Sequence, residues 1–401
     1  MALLSVDEAL ARVLDGLAPL GAERVPLEDG QRRVVAEDLA ARVTQPPFAA
    51  SAMDGYAVRA ADVASLPARL EVIGVAAAGA GFKERVGQGE AVRIFTGAPV
   101  PEGADTVVIQ ENTEEADGVV TIEEAAPGRH IRPCGQDFQE GEVLLLAGTR
   151  LGPRELVLAA AMNLAELPVR RKPKVAILAT GDEVVPPGSK LGPDQIVSSV
   201  PYGLAALIEA EGGEAMRLGI AKDNPESLAT LARAGKAADI LLTIGGASVG
   251  ERDLVASALK SEGLELDFAK IAMRPGKPLL YGRIGAQRVL GLAGNPVSAL
   301  ISAHVFLKPM LRRMLGLNER TRPFPQAILG VALEANGPRQ HYLRGVSEWG
   351  DDGARIVRPL PSQDSSLVAE LSRADCLILR EPDAPALQRG ARVRIVPLDT
   401  D

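Results

Sequence analysis

The chain has 401 residues, with 44 basic and 52 acidic side chains and a formal net charge of −8. This length predicts about two to four domains, and the absence of a basic run argues against a nucleic-acid partner. The 2 cysteines and 3 histidines lack metal-ligand spacing, which argues against a disulfide framework or a transition-metal site. No apolar run approaches the ~20 residues of a membrane span, and the first residues do not form a signal peptide, so we expect a cytoplasmic protein.

The N-terminal segment begins with a helix signal. Ser5-Val6-Asp7-Glu8 is a capping box, and apolar residues follow at helical spacing to about Leu17. We therefore expect residues 1–45 to be mostly helical. From Pro46 to about Cys134 the pattern changes to short β-type runs separated by glycine, proline and acidic turns, which predicts a small β domain.

Residues 142–171 contain a further extended run and a predicted helix from Pro153 to Leu164. This block could complete the domain that the N-terminal helix begins, which would make the β region an insertion. Simple sequential packing of the segments is the alternative. Arg171-Lys172-Pro173-Lys174 then predicts a linker.

Strand and helix patterns alternate after this linker. Runs typical of strands lie at residues 175–179, 215–221 and 239–244, and helices are expected at about 200–211, 225–234 and 253–261. This order predicts a parallel sheet with right-handed crossovers, in which ligands bind beyond the carboxyl ends of the strands. From Arg322 onward the pattern is again of the β type and predicts a small barrel or sandwich.

The most distinctive turn is Gly291-Leu292-Ala293-Gly294-Asn295-Pro296-Val297-Ser298, which joins a strand-like run to a helix-like one. Its glycines and proline direct free backbone N–H groups, and the positive end of a helix dipole, toward the space above the turn. An anion such as phosphate is the natural occupant of that space. An ordinary strand-to-helix turn is the alternative.

The loops that follow the predicted strands carry charges of both signs. Four carboxylates supply hard oxygen ligands suited to Mg²⁺, namely Asp182, Glu183, Asp223 and Asp253. Anion contacts are available from Lys270, Arg274, Lys277 and the backbone of Gly245-Gly246-Ala247-Ser248. Each loop alone could be a helix cap or a solvated surface. Because all of them follow strands, we predict one shared site for a phosphorylated ligand and a divalent metal.

Two loops of the β region also stand out. The segment from Pro46 to Ala57 contains a lone Asp54 before a glycine, and the segment from Arg93 to Pro101 contains Thr96. A tight turn at a domain junction is the alternative for the first loop. A simple turn hydroxyl is the alternative for Thr96.

Taken together, these segments resemble the molybdopterin molybdenumtransferases, the bacterial MoeA family that is shared with the E domain of gephyrin. The matching stretches occur in family order and span nearly the whole chain. They are Ser51-Ala-Met-Asp-Gly-Tyr-Ala, Thr96-Gly-Ala-Pro-Val-Pro, Gly103-Ala-Asp, Ile131-Arg-x-x-Gly-x-Asp137, Arg171-Lys-Pro, Thr180-Gly-Asp-Glu, Gly245-Gly-x-Ser-Val-Gly, Met273-Arg-Pro-Gly-Lys-Pro and Gly291-Leu-x-Gly-Asn-Pro-Val-Ser.

The resemblance implies a multidomain protein of the α/β and β classes. Its parts would be an elongated, mainly helical dimerisation domain (1–45 and 141–171), an inserted β domain (46–140), a MogA-like α/β molybdopterin-binding domain with a parallel sheet (172–320) and a C-terminal β-barrel (321–401). It also implies a homodimer whose cleft lies between the α/β domain of one subunit and the inserted domain of its partner.

The reaction implied by the resemblance inserts molybdate into adenylylated molybdopterin with Mg²⁺ and releases AMP. Functional positions of the family fall on Asp54, Thr96, Glu183, Asp223, Asp253, Lys270 and Arg274. Asp182, Glu183, Asp223 and Asp253 would hold or surround the metal. Cofactor binding is implied for Gly245, Gly246, Ser248, Lys277, Gly294, Asn295, Pro296 and Ser298.

The chain departs from the family pattern at several positions. Asn224 stands where a second Asp is common, Ala293 replaces a usual proline, and Ser198-Ser199 replaces a Ser/Thr-Asn pair. Two other functions stay open at this point. One is a carrier that holds molybdopterin or the finished cofactor without inserting metal. The other is a molybdopterin adenylyltransferase, although the inserted and C-terminal domains argue against it. Such an adenylyltransferase and molybdoenzyme delivery proteins are candidate partners.

Overall fold

A computed structural model of the chain describes residues 3–246, 254–318 and 325–398. Within these ranges no helix is both long and apolar enough to cross a membrane. The described residues form an elongated N-terminal unit, an inserted β unit, an α/β unit and a C-terminal barrel, which confirms the predicted fold class. The residue limits given above for the domains stay predictions.

The N-terminal segment contains less helix than predicted. It consists of α1 (Val6–Leu14), β1 (Ala22–Pro26), a 3-10 turn (Leu27–Asp29) and β2 (Leu39–Ala40). The capping box is present, since the Glu8 N–H donates to Ser5 Oγ at 3.2 Å and the Ser5 N–H donates to the Glu8 carboxylate at 3.1 Å. The prediction of a mostly helical segment is wrong because Gly16, at φ +62°, and Pro19 stop the helix.

Helix α1 packs against the α/β unit. Its buried face of Val6, Ala9 and Val13 belongs to the hydrophobic core that the α/β strands and helices form. The hydroxyl of Tyr281, from that unit, donates to the Val13 carbonyl oxygen at 3.1 Å. The start of the chain therefore stabilises a domain far away in sequence.

The inserted β unit comprises β3 (Ala50–Ser51), β4 (Gly55–Val58), β5 (Ala68–Ala76), β6 (Glu90–Ile94), β7 (Thr106–Ile109), β8 (Thr113–Ala116), β9 (Val119–Ile122) and β10 (Ile131–Arg132), with 3-10 turns at Ala60–Val63 and Gln110–Asn112. Strand order in its 6-stranded sheet is β7-β4-β6-β5-β9-β8, and β3 pairs with β10. The chain enters and leaves this unit at one point, because Gln45 pairs with Phe138.

The elongated unit is completed by β11 (Val143–Leu145), α2 (Pro153–Ala161) and β12 (Glu166–Arg170). Strand β1 pairs antiparallel with β12, and β2 pairs antiparallel with β11. Strands from either side of the insertion thus pair with each other. Of the two arrangements that the sequence left open, the structure has the inserted one.

The α/β unit contains β13 (Lys174–Thr180), β14 (Val184–Val185), β15 (Ile196–Val197), α3 (Val200–Ala210), β16 (Glu214–Ala221), α4 (Pro225–Ala234), β17 (Ile240–Ile244), α5 (Leu254–Ser261), β18 (Glu265–Lys270), β19 (Met273–Arg274), β20 (Pro278–Ile284), β21 (Gln287–Leu292), α6 (Pro296–Ser302), a π-helical turn (Ala303–Leu307) and α7 (Lys308–Met314). Residues 175–180 of β13 are all buried, as the continuous apolar run predicts.

The main sheet of this unit is mixed, not wholly parallel. Its order is β16-β13-β17-β21-β20-β18, and the first four strands run parallel to one another. Strand β20 is antiparallel to β21 and to β18. The strands predicted at residues 175–179, 215–221 and 239–244 are parallel as expected. The sheet is not parallel throughout, because β20 and β21 are joined by a short hairpin turn, with Gly285 at φ +58°, and such a turn joins only antiparallel strands.

The C-terminal unit contains β22 (Gln326–Leu329), β23 (Gln340–Trp349), β24 (Arg355–Pro359), α8 (Val368–Arg373), β25 (Cys376–Arg380) and β26 (Arg392–Pro397). Strands β23, β24, β22, β26 and β25 pair in turn, and the pairing of β25 with β23 closes a barrel. Of the barrel and the sandwich, the barrel is the observed form. Strand β19 joins it alongside β23, which brings Arg274 of the α/β unit to the barrel.

Candidate active site

The carboxyl ends of five strands lie along one edge of the mixed sheet. Strands β13, β16, β17 and β21 are parallel, and β18 runs in their direction because it is antiparallel to β20. The same edge therefore carries the loops after these strands, together with the start of β20. We call this edge the rim. It brings together the polar loops that the sequence predicted to share a site.

Two glycines at the end of β17 give the rim a backbone surface that no other residue type fits. Gly245 has φ +87° and Gly246 has φ +65°. A Cβ atom on Gly245 would lie 2.9 Å from the Thr180 carbonyl oxygen, and one on Gly246 would lie 2.5 Å from Cγ2 of Val255. A Cβ on Gly294, after β21, would lie 3.6 Å from the Gly245 Cα. The two glycine turns are thus adjacent.

The turn before α6 is held by a residue from the C-terminal unit. The Asn295 side-chain amide donates to Ser365 Oγ at 2.9 Å, and the Val297 N–H donates to the Ser365 carbonyl oxygen at 3.1 Å. One backbone N–H that the sequence analysis expected to be free therefore has a partner. Ser298, a predicted cofactor-binding residue, lies below the turn with 5% of its surface exposed, whereas Gly294 and Asn295 are exposed.

The Ser365 loop is fixed by a buried arginine that the sequence analysis missed. Arg344 is 1% exposed, and its Nη2 donates to the carbonyl oxygens of Ser362 and Asp364, both at 2.9 Å. Gln363 also bonds the Arg344 backbone, accepting from its N–H and donating to its carbonyl oxygen. No local pattern in the sequence identified this arginine, because its partners only become neighbours in the folded barrel.

The carboxylates of the rim lie after β13 and β16. The Asp223 N–H donates to Asp182 Oδ1 at 3.2 Å, and Thr180 Oγ1 donates to Asp223 Oδ1 at 2.8 Å. Asp182, Glu183 and Asp223 are exposed. Within the described ranges no group of three or more His, Cys, Asp or Glu residues is placed to hold a metal. The predicted residues Ser248 and Asp253 lie outside those ranges.

The cations of the rim lie near its other end. Lys270 ends β18, Lys277 precedes β20, and all three predicted cations, with Arg274, are exposed. Arg274 pairs in register with His341 of β23. Burial, together with the charges of Arg274, Arg339 and Arg380, lowers the pKa of His341 to about 4. This histidine is therefore neutral at pH 7 beside a strongly positive surface.

Asp54 and Thr96 form a hydrogen-bonded pair in the inserted unit. The Thr96 N–H and Oγ1 both donate to Asp54 Oδ1 at 2.7 Å. These two bonds, and secondarily the charge of Arg93, lower the pKa of Asp54 below its ordinary value. Thr96 is exposed and Asp54 is half-buried. The structure thus brings these two predicted residues together, on a different unit from the rim.

A cavity of about 530 Å³ lies where the chain enters and leaves the inserted unit, lined there by Gln45 and Gln136. Its walls include Phe48, Gly97, and Arg132 and Asp137 of the Ile131–Asp137 motif. The cavity is therefore continuous with the Thr96 loop through Gly97. It also carries a cation and a carboxylate that the residue-by-residue prediction had not assigned to a site.

Comparisons with known proteins match the chain along almost its full length. Residues 4–163 match the model of the MoeA N-terminal region (domains I and II), residues 176–313 that of a probable molybdopterin-binding domain, and residues 326–398 that of the MoeA C-terminal region (domain IV). The chain is 35% identical to a molybdopterin molybdenumtransferase of Haemophilus influenzae over 402 aligned residues, covering 99% of each chain. It is 39% identical to one from Nostoc, covering 94% of this chain and 88% of that protein.

The fold comparison agrees with the sequence comparison. A crystal structure of a molybdopterin biosynthesis MoeA protein from Pyrococcus horikoshii superposes with a TM-score of 0.85 at 34% sequence identity. That match covers 99% of this chain and 100% of the other. All four structural units therefore have counterparts in a solved structure.

Proposed function

Because the chain belongs to the MoeA family of molybdopterin molybdenumtransferases, we propose that it inserts molybdate into adenylylated molybdopterin and releases AMP, as a step of molybdenum cofactor biosynthesis. The observation that carries this proposal is the rim, where adjacent glycine turns, carboxylates and cations meet at the strand ends. Such a site can hold a phosphate-rich ligand and an oxyanion without a side-chain nucleophile.

The glycines and the cations of the rim would bind different parts of the substrate. Backbone groups of Gly245, Gly246 and Gly294 would approach the phosphate or pterin part of the substrate closely, because none carries a side chain. Lys270, Arg274 and Lys277 would hold molybdate and the pyrophosphate group, and would stabilise the negative charge that develops as AMP leaves.

The donor set at the other end of the rim fits Mg²⁺ in its chemistry. Asp182, Glu183 and Asp223 are exposed carboxylates, and Mg²⁺ is commonly held by one or two carboxylates with waters and substrate phosphates completing its shell. A protein cage of three ligands is therefore not required. When bound, Mg²⁺ would neutralise phosphate charge, while Thr180 keeps Asp223 oriented by its hydrogen bond.

We propose that the active protein is a cytoplasmic homodimer in which Asp54 and Thr96 act on the rim of the partner subunit. Within the described part of the chain, the hydrogen bonds of Asp54 and Thr96 stay inside the inserted unit. A second copy would supply the rim that this exposed pair lacks. Asp54, held as a carboxylate by Thr96, would then accept a hydrogen bond or a proton from the substrate.

The proposal is tested by measuring AMP release from adenylylated molybdopterin with and without molybdate and Mg²⁺. Release that requires both supports the proposal, and tight binding without release would indicate the carrier function instead. Lys270→Ala should raise the molybdate concentration for half-maximal release by about tenfold or more. The matched control is Lys236→Ala, an exposed lysine that precedes β17 at the opposite edge of the sheet, and it should leave the titration unchanged.

A further inference from the structure

Arg93 occupies an unusual position next to the Asp54–Thr96 pair. It lies on β6 opposite Tyr56 of β4, three residues before Thr96. Its guanidinium carbon is 5.0 Å from the centre of the Tyr56 ring and 5.2 Å from that of Phe95. An arginine held between two rings in this way gains cation–π attraction and loses freedom to rotate.

The same guanidinium joins three segments through hydrogen bonds. Its Nη1 donates to the Gly55 carbonyl oxygen at 3.3 Å, and its Nη2 donates to Gln110 Oε1 at 2.6 Å. The Gln110 N–H in turn donates to the Asp54 carbonyl oxygen at 3.1 Å. The backbone carbonyl groups of Asp54 and Gly55 are thus tied to the arginine, directly at Gly55 and through Gln110 at Asp54.

We propose that Arg93 is a positioning residue for the Asp54–Thr96 pair, and that it holds the Asp54 carboxylate at one fixed place for the reaction. This inference rests on the proposed function only in so far as the pair acts in catalysis. The bonds of Arg93 fix the Asp54 segment on β4, while its own backbone fixes the start of the Thr96 loop on β6. A displacement of about 1 Å between the two would lengthen both 2.7 Å bonds to Asp54 and could cost ~100-fold in rate.

Other contacts hold the segments around the pair at different points. A Cβ on Gly55 would lie 1.9 Å from the Val108 carbonyl oxygen, so the β4 backbone lies close to β7. That contact locates the strand. The Thr96 loop is held to the segment before Asp54, because the Gly97 N–H donates to the Ser51 carbonyl oxygen and the Ser51 N–H donates to the Ala98 carbonyl oxygen, both at 2.9 Å. Arg93 acts on the segment after Asp54, at Gly55 and Gln110. The Tyr56 hydroxyl is engaged elsewhere, since it donates to Glu115. Arg93 is the charged group that acts on Asp54 from the neighbouring strand.

The test uses full-length Arg93→Gln and Arg93→Lys proteins, with Arg69→Gln as the matched control. Arg69 is an exposed arginine of β5 in the same sheet. The first readout is hydrogen exchange of the Thr96 amide, which reports the bond to Asp54 without any need for activity. We expect exchange to accelerate about tenfold or more in Arg93→Gln, less in Arg93→Lys, and not in Arg69→Gln.

The second readout is the rate of AMP release. We expect kcat to fall about ten- to a hundredfold in Arg93→Gln with partial recovery in Arg93→Lys, while KM for adenylylated molybdopterin changes less than about threefold. Far-ultraviolet circular dichroism and urea unfolding identify variants that have lost the fold. If Arg93→Gln unfolds, the same two measurements on Arg93→Lys and the wild type test the proposal instead.

The outcomes separate this inference from the proposed function. Faster exchange together with a lower kcat supports the positioning role. Unchanged exchange in a folded Arg93→Gln protein overturns it, whatever the rate, and so does faster exchange with an unaltered kcat. If the wild type releases no AMP at all but exchange still accelerates, the positioning of Asp54 stands and the proposed function fails.

Discussion

Asp54 illustrates how much of this protein depends on the surroundings of single side chains. Its carboxylate accepts two bonds of 2.7 Å from one residue, Thr96, and these bonds favour the ionised form. For His341 the surroundings favour the uncharged form instead, because the ring is buried and lies near three arginines. The pKa of each group is therefore lowered. At pH 7 this keeps Asp54 as a carboxylate and His341 as a neutral imidazole.

Thr96→Val should raise the pKa of Asp54 toward its ordinary value. The substitution removes the side-chain bond but keeps the backbone bond, which contributes more. Because the proposed function requires Asp54 to be ionised, the acid limb of the pH–rate profile for AMP release should move to higher pH. Thr96→Ser retains a hydroxyl donor and should leave the limb in place. An unmoved limb in an active Thr96→Val protein would contradict the assignment of Asp54 as the titrating group.

His341 should make the folded protein less stable as the pH falls. Its pKa is lowered from 6.5 to about 4, so the unfolded state binds more protons between these values and the free energy of unfolding rises with pH there. The loss from this group between pH 7.5 and 5 is about 2 kcal/mol. Urea unfolding at pH 7.5 and at pH 5 gives the fall in unfolding free energy for each protein. In His341→Gln this fall should be smaller than in the wild type by about 2 kcal/mol. Equal losses in the two proteins would show that His341 titrates normally.

At the scale of elements, the ends of strands carry the site. Five strands end at one edge, and the turns after β17 and β21 use glycine so that two backbones can approach each other. The helix after the second turn then begins under a loop of the barrel. A strand end, a helix start and a barrel loop therefore form one surface, although they come from distant parts of the sequence.

Gly246→Ala should destabilise the protein more than another glycine substitution at positive φ. Gly246 has φ +65°, and its added Cβ would lie 2.5 Å from Val255 Cγ2. Backbone strain of about 1 kcal/mol and overpacking of about 1–3 kcal/mol add together. Gly285→Ala is the control. Gly285 has φ +58°, and an added Cβ would have no atom within 4 Å, so this variant has the backbone strain without the overpacking. Equal unfolding free energies for the two variants would show that the turn after β17 relaxes freely.

At the scale of the whole molecule, a buried carboxylate joins two units. Glu211 follows α3 and accepts from Lys308 at 2.9 Å and Arg312 at 2.8 Å, and lies 3.4 Å from Arg150 of the elongated unit. Burial alone would raise the pKa of Glu211, but the bonds from Arg312 and Lys308 lower it below its ordinary value. The carboxylate therefore stays charged and holds cations from both sides of the junction.

Glu211→Gln should reduce the free energy of unfolding by about 3 kcal/mol, because it removes the buried negative charge that faces Lys308, Arg312 and Arg150 and weakens their hydrogen bonds to it. Glu214→Gln is the matched control. Glu214 lies 3.9 Å from Lys174 in an exposed pair, and such pairs contribute less than about 1 kcal/mol. Urea unfolding measures both losses. A loss for Glu211→Gln no larger than that of the control would mean that the junction does not depend on this charge.

The local elements and the family could be predicted from the sequence because both depend on residues close together in the chain. The capping box at Ser5 and the buried run of β13 are local patterns, and the structure contains both. The order of short motifs indicated the MoeA family, which the comparisons show. The resemblance alone implied that Asp54 and Thr96 are both functional residues, and their hydrogen bond across 42 residues was not predicted.

Contacts between distant segments were decided only by the tertiary structure. The packing of α1 on the α/β core and the Ser365 loop over the turn before α6 both depend on contacts between distant segments. Hydrophobic period and turn residues specify which face of an element is buried, but they do not specify the element that covers it. That choice follows from the free energy of the whole packed chain, and so the Val297 N–H, which was expected to be free at the turn, has a partner in the C-terminal unit.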